Sequence, residues 1–183
     1  SDLAGTYTLN FAASGLIGVS QTNLIVNPGD ASKLALPVSA SGSVVGSSFT
    51  IQPIVYVQDA AGNRITSDNS TQITVSVDKG ATLIGTTTVT VVNGAATFTS
   101  LGLIGMASTV YTLTFSKYTP PAPRLMLRSF TPSSGPLTSV TSTIVPTTGT
   151  AYQLAISRNS AGAVYNSAFT TQPIIQVQDA GGN

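Results

Sequence analysis

The stretch Ser47–Asn63, SSFTIQPIVYVQDAAGN, returns 120 residues later as Ser167–Asn183, SAFTTQPIIQVQDAGGN. Extending the alignment back to Ala31 and Ala151 needs no gap. Of the 33 aligned pairs 17 are identical, among them Phe49/Phe169, Pro53/Pro173, Asp59/Asp179 and Asn63/Asn183. Self-similarity at a fixed period is the signature of a repeat architecture. A second echo runs from Thr6-Tyr7-Thr8-Leu9-Asn10-Phe11 to Val110-Tyr111-Thr112-Leu113-Thr114-Phe115, at an offset of 104. The two offsets, 120 and 104, differ by 16, so an insertion of about that length lies between Phe115 and Ser139.

The repeated segments alternate apolar and polar residues, the period of a half-buried strand. Strands are expected over Thr6 to Phe11, Ser20 to Val26, Lys33 to Val38 and Phe49 to Asp59. In the last of these Phe49, Ile51, Val55 and Val57 share one face, and Pro53, which has no amide to donate, implies a bulge or a change of sheet edge. Gln72 to Asp78 follows with Ile73, Val75 and Val77 inward. Asn93-Gly94 sits between two further strands and suits a type I′ hairpin, which needs two positive φ values. A two-residue loop there pairs Val91 with Ala96 and Val89 with Phe98. No ten-residue run shows helical periodicity with good helix formers.

The expected fold is therefore all-β, with immunoglobulin-like sandwiches, one complete and flanked by partial ones. Residues 1–27 read as the C-terminal hairpin of a preceding repeat, with the boundary at Asn27-Pro28-Gly29-Asp30. Residues 28–147 read as a complete repeat with a Pro-rich insertion at about 117–138. Residues 148–183 read as the N-terminal strands of a following one. Neither end piece closes a core alone, so the native protein is expected to continue in both directions or to be completed by neighbouring molecules. With Ser rather than Met at position 1, the chain reads as a processed product or a slice of something longer.

Composition removes most chemistries. Charged residues make up 7% and the net charge is +1, which gives no electrostatic case for nucleic acid or an anionic membrane surface. No apolar run approaches the ~20 residues of a membrane-spanning helix. With no cysteine and no histidine, neither disulfides, thiolate metal sites nor the usual nucleophile–base pairs are available. A Ser–Lys pair is the remaining option, and Lys33, Lys79 and Lys117 all fall at turns or strand ends. The six Asp are scattered and Glu is absent, which argues against a carboxylate pair. No catalytic residue, metal ligand or cofactor is expected. Calcium would draw on Asp59 and Asn63 with Asp30 or Asp78, but a tight site wants several carboxylates among its ligands. Asp59 and Asn63 are expected to hydrogen-bond their own turn instead. Tyr7, Phe11, Tyr111 and Phe115, spaced by two, are expected in cores rather than as a sugar-stacking platform. Asn69-Ser70-Thr71 matches a short glycosylation motif.

The order F-x-x-Q-P-x-V-x-V-Q-D-A-x-G-N over Phe49 to Asn63, then V-x-V within Ile73 to Val77, N-G-x-A-T-F from Asn93 and Y-T-L-x-F from Tyr111 resembles the bacterial immunoglobulin-like tandem repeats of giant surface proteins, akin to invasin-type and filamin-type repeats. The resemblance spans the chain apart from the insertion. It implies a β-sandwich array serving as a stalk, adhesin or filament, extracellular or at the cell surface and without catalytic residues. Its partners would be copies of itself or neighbouring repeats.

Two features suggest contacts beyond the scaffold. The insertion holds Arg124, Leu125, Met126, Leu127, Arg128 and Phe130, an apolar triplet bracketed by two of the seven basic residues. It either binds a neighbouring domain or folds back over its own sandwich as an extra edge strand. Tyr56 points outward by parity, and its counterpart is Gln176. Two alternative readings follow: an adhesive module that takes cell-surface glycan or a host ligand through loops, and a virion or phage-tail decoration domain.

Overall fold

A computed structural model describes residues 3–120 and 136–183. The described residues contain no helix and form thirteen strands: β1 (Gly5–Phe11), β2 (Val19–Val26), β3 (Lys33–Val38), β4 (Ile54–Gln58), β5 (Gln72–Val77), β6 (Thr82–Ile84), β7 (Thr88–Thr90), β8 (Ala95–Thr97), β9 (Gly102–Ile104), β10 (Tyr111–Lys117), β11 (Val140–Ile144), β12 (Gln153–Arg158) and β13 (Ile174–Gln178). They pair antiparallel into the sheets β11-β10-β5-β7 and β3-β4-β8 and the short pair β6-β9, with separate hairpins β1-β2 and β12-β13 at the two ends.

One core unites the central strands, an arrangement consistent with a β-sandwich. Val55 and Val57 from β4 meet Ile73 and Val75 from β5 and Leu113 and Phe115 from β10, together with Phe98, Leu101 and Leu103. Phe98 and Phe115 join the two sheets edge to face, with ring centroids 5.5 Å apart, a favoured aromatic geometry. Strand alternation works as the sequence implies in β10, where Tyr111, Leu113 and Phe115 are buried and Thr112 and Thr114 are not. The segment around β11 returns beside β3 and the loop after it: Leu34 N donates to Thr138 O (2.9 Å), and Val45 N to Thr147 O (3.0 Å).

Three expectations need correction. Ile51 does not share the inner face of Phe49, Val55 and Val57; it is half exposed. The ladder begins only at Ile54, after the donor-less Pro53, and Gln52 spans the break. Its Nε2 donates to Phe49 O and Leu101 O, while its Oε1 accepts from Leu101 N. A buried strand end is thus satisfied by a side-chain amide in place of backbone.

The Asn93-Gly94 turn has the two positive φ values of type I′, 49° and 73°, and Val92 and Ala95 exchange both backbone hydrogen bonds. The expected pairing of Val91 with Ala96 and Val89 with Phe98 does not follow. β7 pairs with β5 and β8 with β4, so the turn carries the chain from one sheet to the other. Val91, Ala96 and Phe98 still reach the core, with Val89 packed against it.

The third correction concerns the ends. Tyr111 and Phe115 are core residues, but their counterparts are not both buried: Tyr7 is half-buried and Phe11 is 55% exposed. Among the described residues, this face of the hairpin β1-β2 is left largely uncovered at Leu9 and Phe11.

Both end hairpins reproduce pairings of the central body. Tyr7 opposes Leu24 as Tyr111 opposes Ile144, and Phe11 opposes Val19 as Phe115 opposes Val140. In β12-β13, Leu154 opposes Val177 and Ala155 opposes Gln176, as Leu34 opposes Val57 and Ala35 opposes Tyr56 in β3-β4. The isolated bridge Ala161–Thr171 likewise matches Ser41–Ile51.

Candidate functional site

The residues singled out as contacts fall in two places. Arg124, Leu125, Met126, Leu127, Arg128 and Phe130 lie outside the described residues. Tyr56, on β4, is half-buried, and the Arg64 guanidinium lies over its ring at 4.4 Å from the centroid. Arg64 is itself fixed by donating from Nε to Asn93 O (2.7 Å). This cation–π contact gives Tyr56 a partner within the chain. Asn69 is likewise engaged: its Oδ1 accepts from Asn93 N (2.8 Å) and its Nδ2 donates to Ser67 O.

The most connected polar cluster is the turn Asp59-Ala60-Ala61-Gly62-Asn63. Asp59 N donates to Asn63 O and Gly62 N to Asp59 O, closing the turn, and Gly62 takes φ +95°, which a side chain would resist. The Asp59 carboxylate accepts Asn63 N on Oδ1 (2.8 Å) and Asn63 Nδ2 on Oδ2 (2.8 Å). The remaining bonds reach out of the turn. Gly29 N, in the linker after β2, donates to Asp59 Oδ2 (2.9 Å), and Ala4 N, just before β1, donates to Asn63 Oδ1 (2.9 Å).

Asp179-Ala180-Gly181-Gly182-Asn183 repeats the construction. Asp179 N donates to Asn183 O and Gly182 N to Asp179 O. Asn183 donates from N and Nδ2 to the Asp179 carboxylate. Gly149 N donates to Asp179 Oδ2 (2.7 Å), and Ala107 N donates to Asn183 Oδ1 (2.7 Å). Asn183 Nδ2 adds a bond to Gly105 O (3.1 Å). Backbone approaches closely here: a Cβ on Gly181 would stand 2.1 Å from Gly105 O, and one on Gly149 2.2 Å from Val45 O.

Both aspartates are almost fully buried and hold their charge through hydrogen bonds to the ionised form. The Asn63 side chain, with the Gly29, Asn63 and Gly62 amides, takes Asp59 from the ordinary 3.8 down to about 2 against the opposing effect of burial. Asp179 is also lowered, first by the Gly149 amide. With their oxygens occupied by amides, these carboxylates act as fixed acceptors that tie a linker to the turn, while the Asn side-chain oxygens take the amide at the strand start. Among the described residues no group of three or more acidic residues gathers as a metal site.

The turn residues were legible in the sequence as self-bonding; their grip on Ala4, Gly29, Ala107 and Gly149 was not. The available signal was that Gly29 and Gly149 share the 120-residue offset within otherwise dissimilar linkers. Compared with known proteins, the chain matches no family model and no curated protein.

Proposed function

We propose that the chain is a non-enzymatic structural segment of an extracellular or cell-surface array, in which immunoglobulin-like sandwiches follow one another head to tail. One observation carries the reading. The hairpin β12-β13 keeps the register of β3-β4, and β1-β2 that of β10-β11 apart from a bulge between Tyr7 and Leu9, yet they expose the side chains that the central body buries. Leu113 is fully buried and Leu9 43% exposed; Val57 is fully buried and Val177 64% exposed. In the body those faces are covered by the strands between residues 64 and 110, and by their own partner hairpin. The natural occupant of each open face is therefore chain of the same kind, supplied further along the polypeptide or by a neighbouring molecule through strand complementation. Each sandwich then acts as a stiff link, and the low surface charge weakens repulsion between neighbours.

The period makes the reading testable, because Arg64 is the residue that follows Asn63 and therefore the next residue expected after Asn183. Appending one or two copies of residues 64–183 after Asn183 should lengthen the particle in negative-stain electron microscopy by the same step each time. A length that does not grow, or growth into an unsegmented mass, would remove the array.

A further inference from the structure

The two Asp-Ala-x-Gly-Asn turns sit at the same place in two successive junctions, and their outward bonds run to corresponding segments, the linker glycine and the stretch before the Tyr-x-Leu strand, with the second donor one residue out of step. At the first junction Asp59 and Asn63 take the amides of Gly29 and Ala4. At the second, Asp179 and Asn183 take those of Gly149 and Ala107. Gly29 and Gly149 are 120 residues apart. Ala4 lies three residues before Tyr7, and Ala107 four before Tyr111, which opposes Ile144 as Tyr7 opposes Leu24. The receiving amides thus belong to the far end of one unit and the linker leaving it, while the turn follows the second strand of the next.

From this we infer that the turn is the interlock by which each unit grips its predecessor, and that the chain builds one fixed head-to-tail geometry at both junctions. The surface that receives it is the strand start at Ala107, the Gly105 carbonyl and the linker glycine; the partner it fits is an Asp-Ala-x-Gly-Asn turn, and at Gly181 that turn packs directly against Gly105. A heterologous contact of this kind, repeated with a constant rotation per unit, makes an open line wherever that rotation does not close a ring. The inference rests on the array reading and adds what sets the angle between links. It also gives a role to the Asn, which a self-contained turn would not require to face outward.

The test uses the absence of native cysteine, which lets spin labels be placed without background. Ile25→Cys with Ser39→Cys spans the first junction, and Val145→Cys with Asn159→Cys spans the second at equivalent positions. Pulsed dipolar spectroscopy should return the same mean distance, narrowly distributed, for both pairs. Asn63→Ala should abolish the narrow peak of the first pair only, and Asn183→Ala that of the second only, with the central body still cooperatively folded in both variants. Two different mean distances, or broad distributions before any turn is altered, would overturn the interlock without requiring a turn variant to fold. So would narrow peaks that survive both alanine substitutions. Constant length steps combined with broad distributions would retain the array and remove the interlock alone.

Discussion

The hairpin β3-β4 and the hairpin β12-β13 are built from nearly the same words and end in different surroundings. Their pairings coincide, and each ladder shifts at the corresponding place, between Ala35 and Val38 and between Ile156 and Arg158. Leu34 is 5% exposed and Leu154 71%; Phe49 is 3% exposed and Phe169 44%. About thirty residues are therefore enough to specify register, turn and bulge, all of which are local. They are not enough to bury anything, because a two-stranded ribbon offers a face and no opposing layer. The core belongs to the long-range partners, and among the described residues the central copy is the one that has them.

That contrast can be broken first in the core. Leu113→Ala should destabilise the body by about 2–5 kcal/mol, transfer loss plus cavity, while the aligned Leu9→Ala should stay within about 0.5 kcal/mol as a surface change. Urea denaturation followed by a body-specific probe would show it, and equal costs would mean that the N-terminal face is covered after all.

The strand break sharpens the comparison at an intermediate scale. Gln52 serves both Phe49 and Leu101, whereas the bond seen for Gln172 is the local one to Phe169 O. Gln52→Ala leaves Leu101 N without its acceptor and should cost about 1–3 kcal/mol. Gln172→Ala should again fall within about 0.5 kcal/mol. Comparable losses at the two positions would contradict the division between a covered and an open copy.

The smallest expected effect is the acid titration of the junction. Because the folded pKa of Asp59 lies below its ordinary value, its contribution is present above about pH 4 and lost as the pH falls through about 2. The Gly29 and Ala4 amide resonances should titrate with a midpoint near that folded value, and Asp59→Asn should remove the titration. A midpoint at the ordinary 3.8 would show the carboxylate free of its amides.

Much of this was legible in the residues. Lys33–Val38 can be read off the alternation to the residue, and β10 buries the side chains its parity assigns. The Asn-Gly turn has the backbone its dipeptide demands. What could not be read were decisions among competing edges: β7 and β8 leave their shared turn for different sheets, β7 pairing with β5 and β8 with β4. Nor does alternation disclose that Gln52 replaces a stretch of ladder after Pro53. The burial of Phe115 beside the exposure of Phe11 is equally invisible locally, since the same strand pattern is written in both. At the junctions, Asp and Asn announced a turn, but amides from Ala4 and Gly29 carry no side-chain signature.

Amide hydrogen exchange at Leu154 and Val177, measured before and after residues 64–147 are appended to Asn183, tests the account most directly. The prediction is fast exchange in the 183-residue chain and slow exchange in the extended one, approaching that of Leu34 and Val57. Slow exchange already present in the shorter chain, or no slowing in the longer, would contradict it.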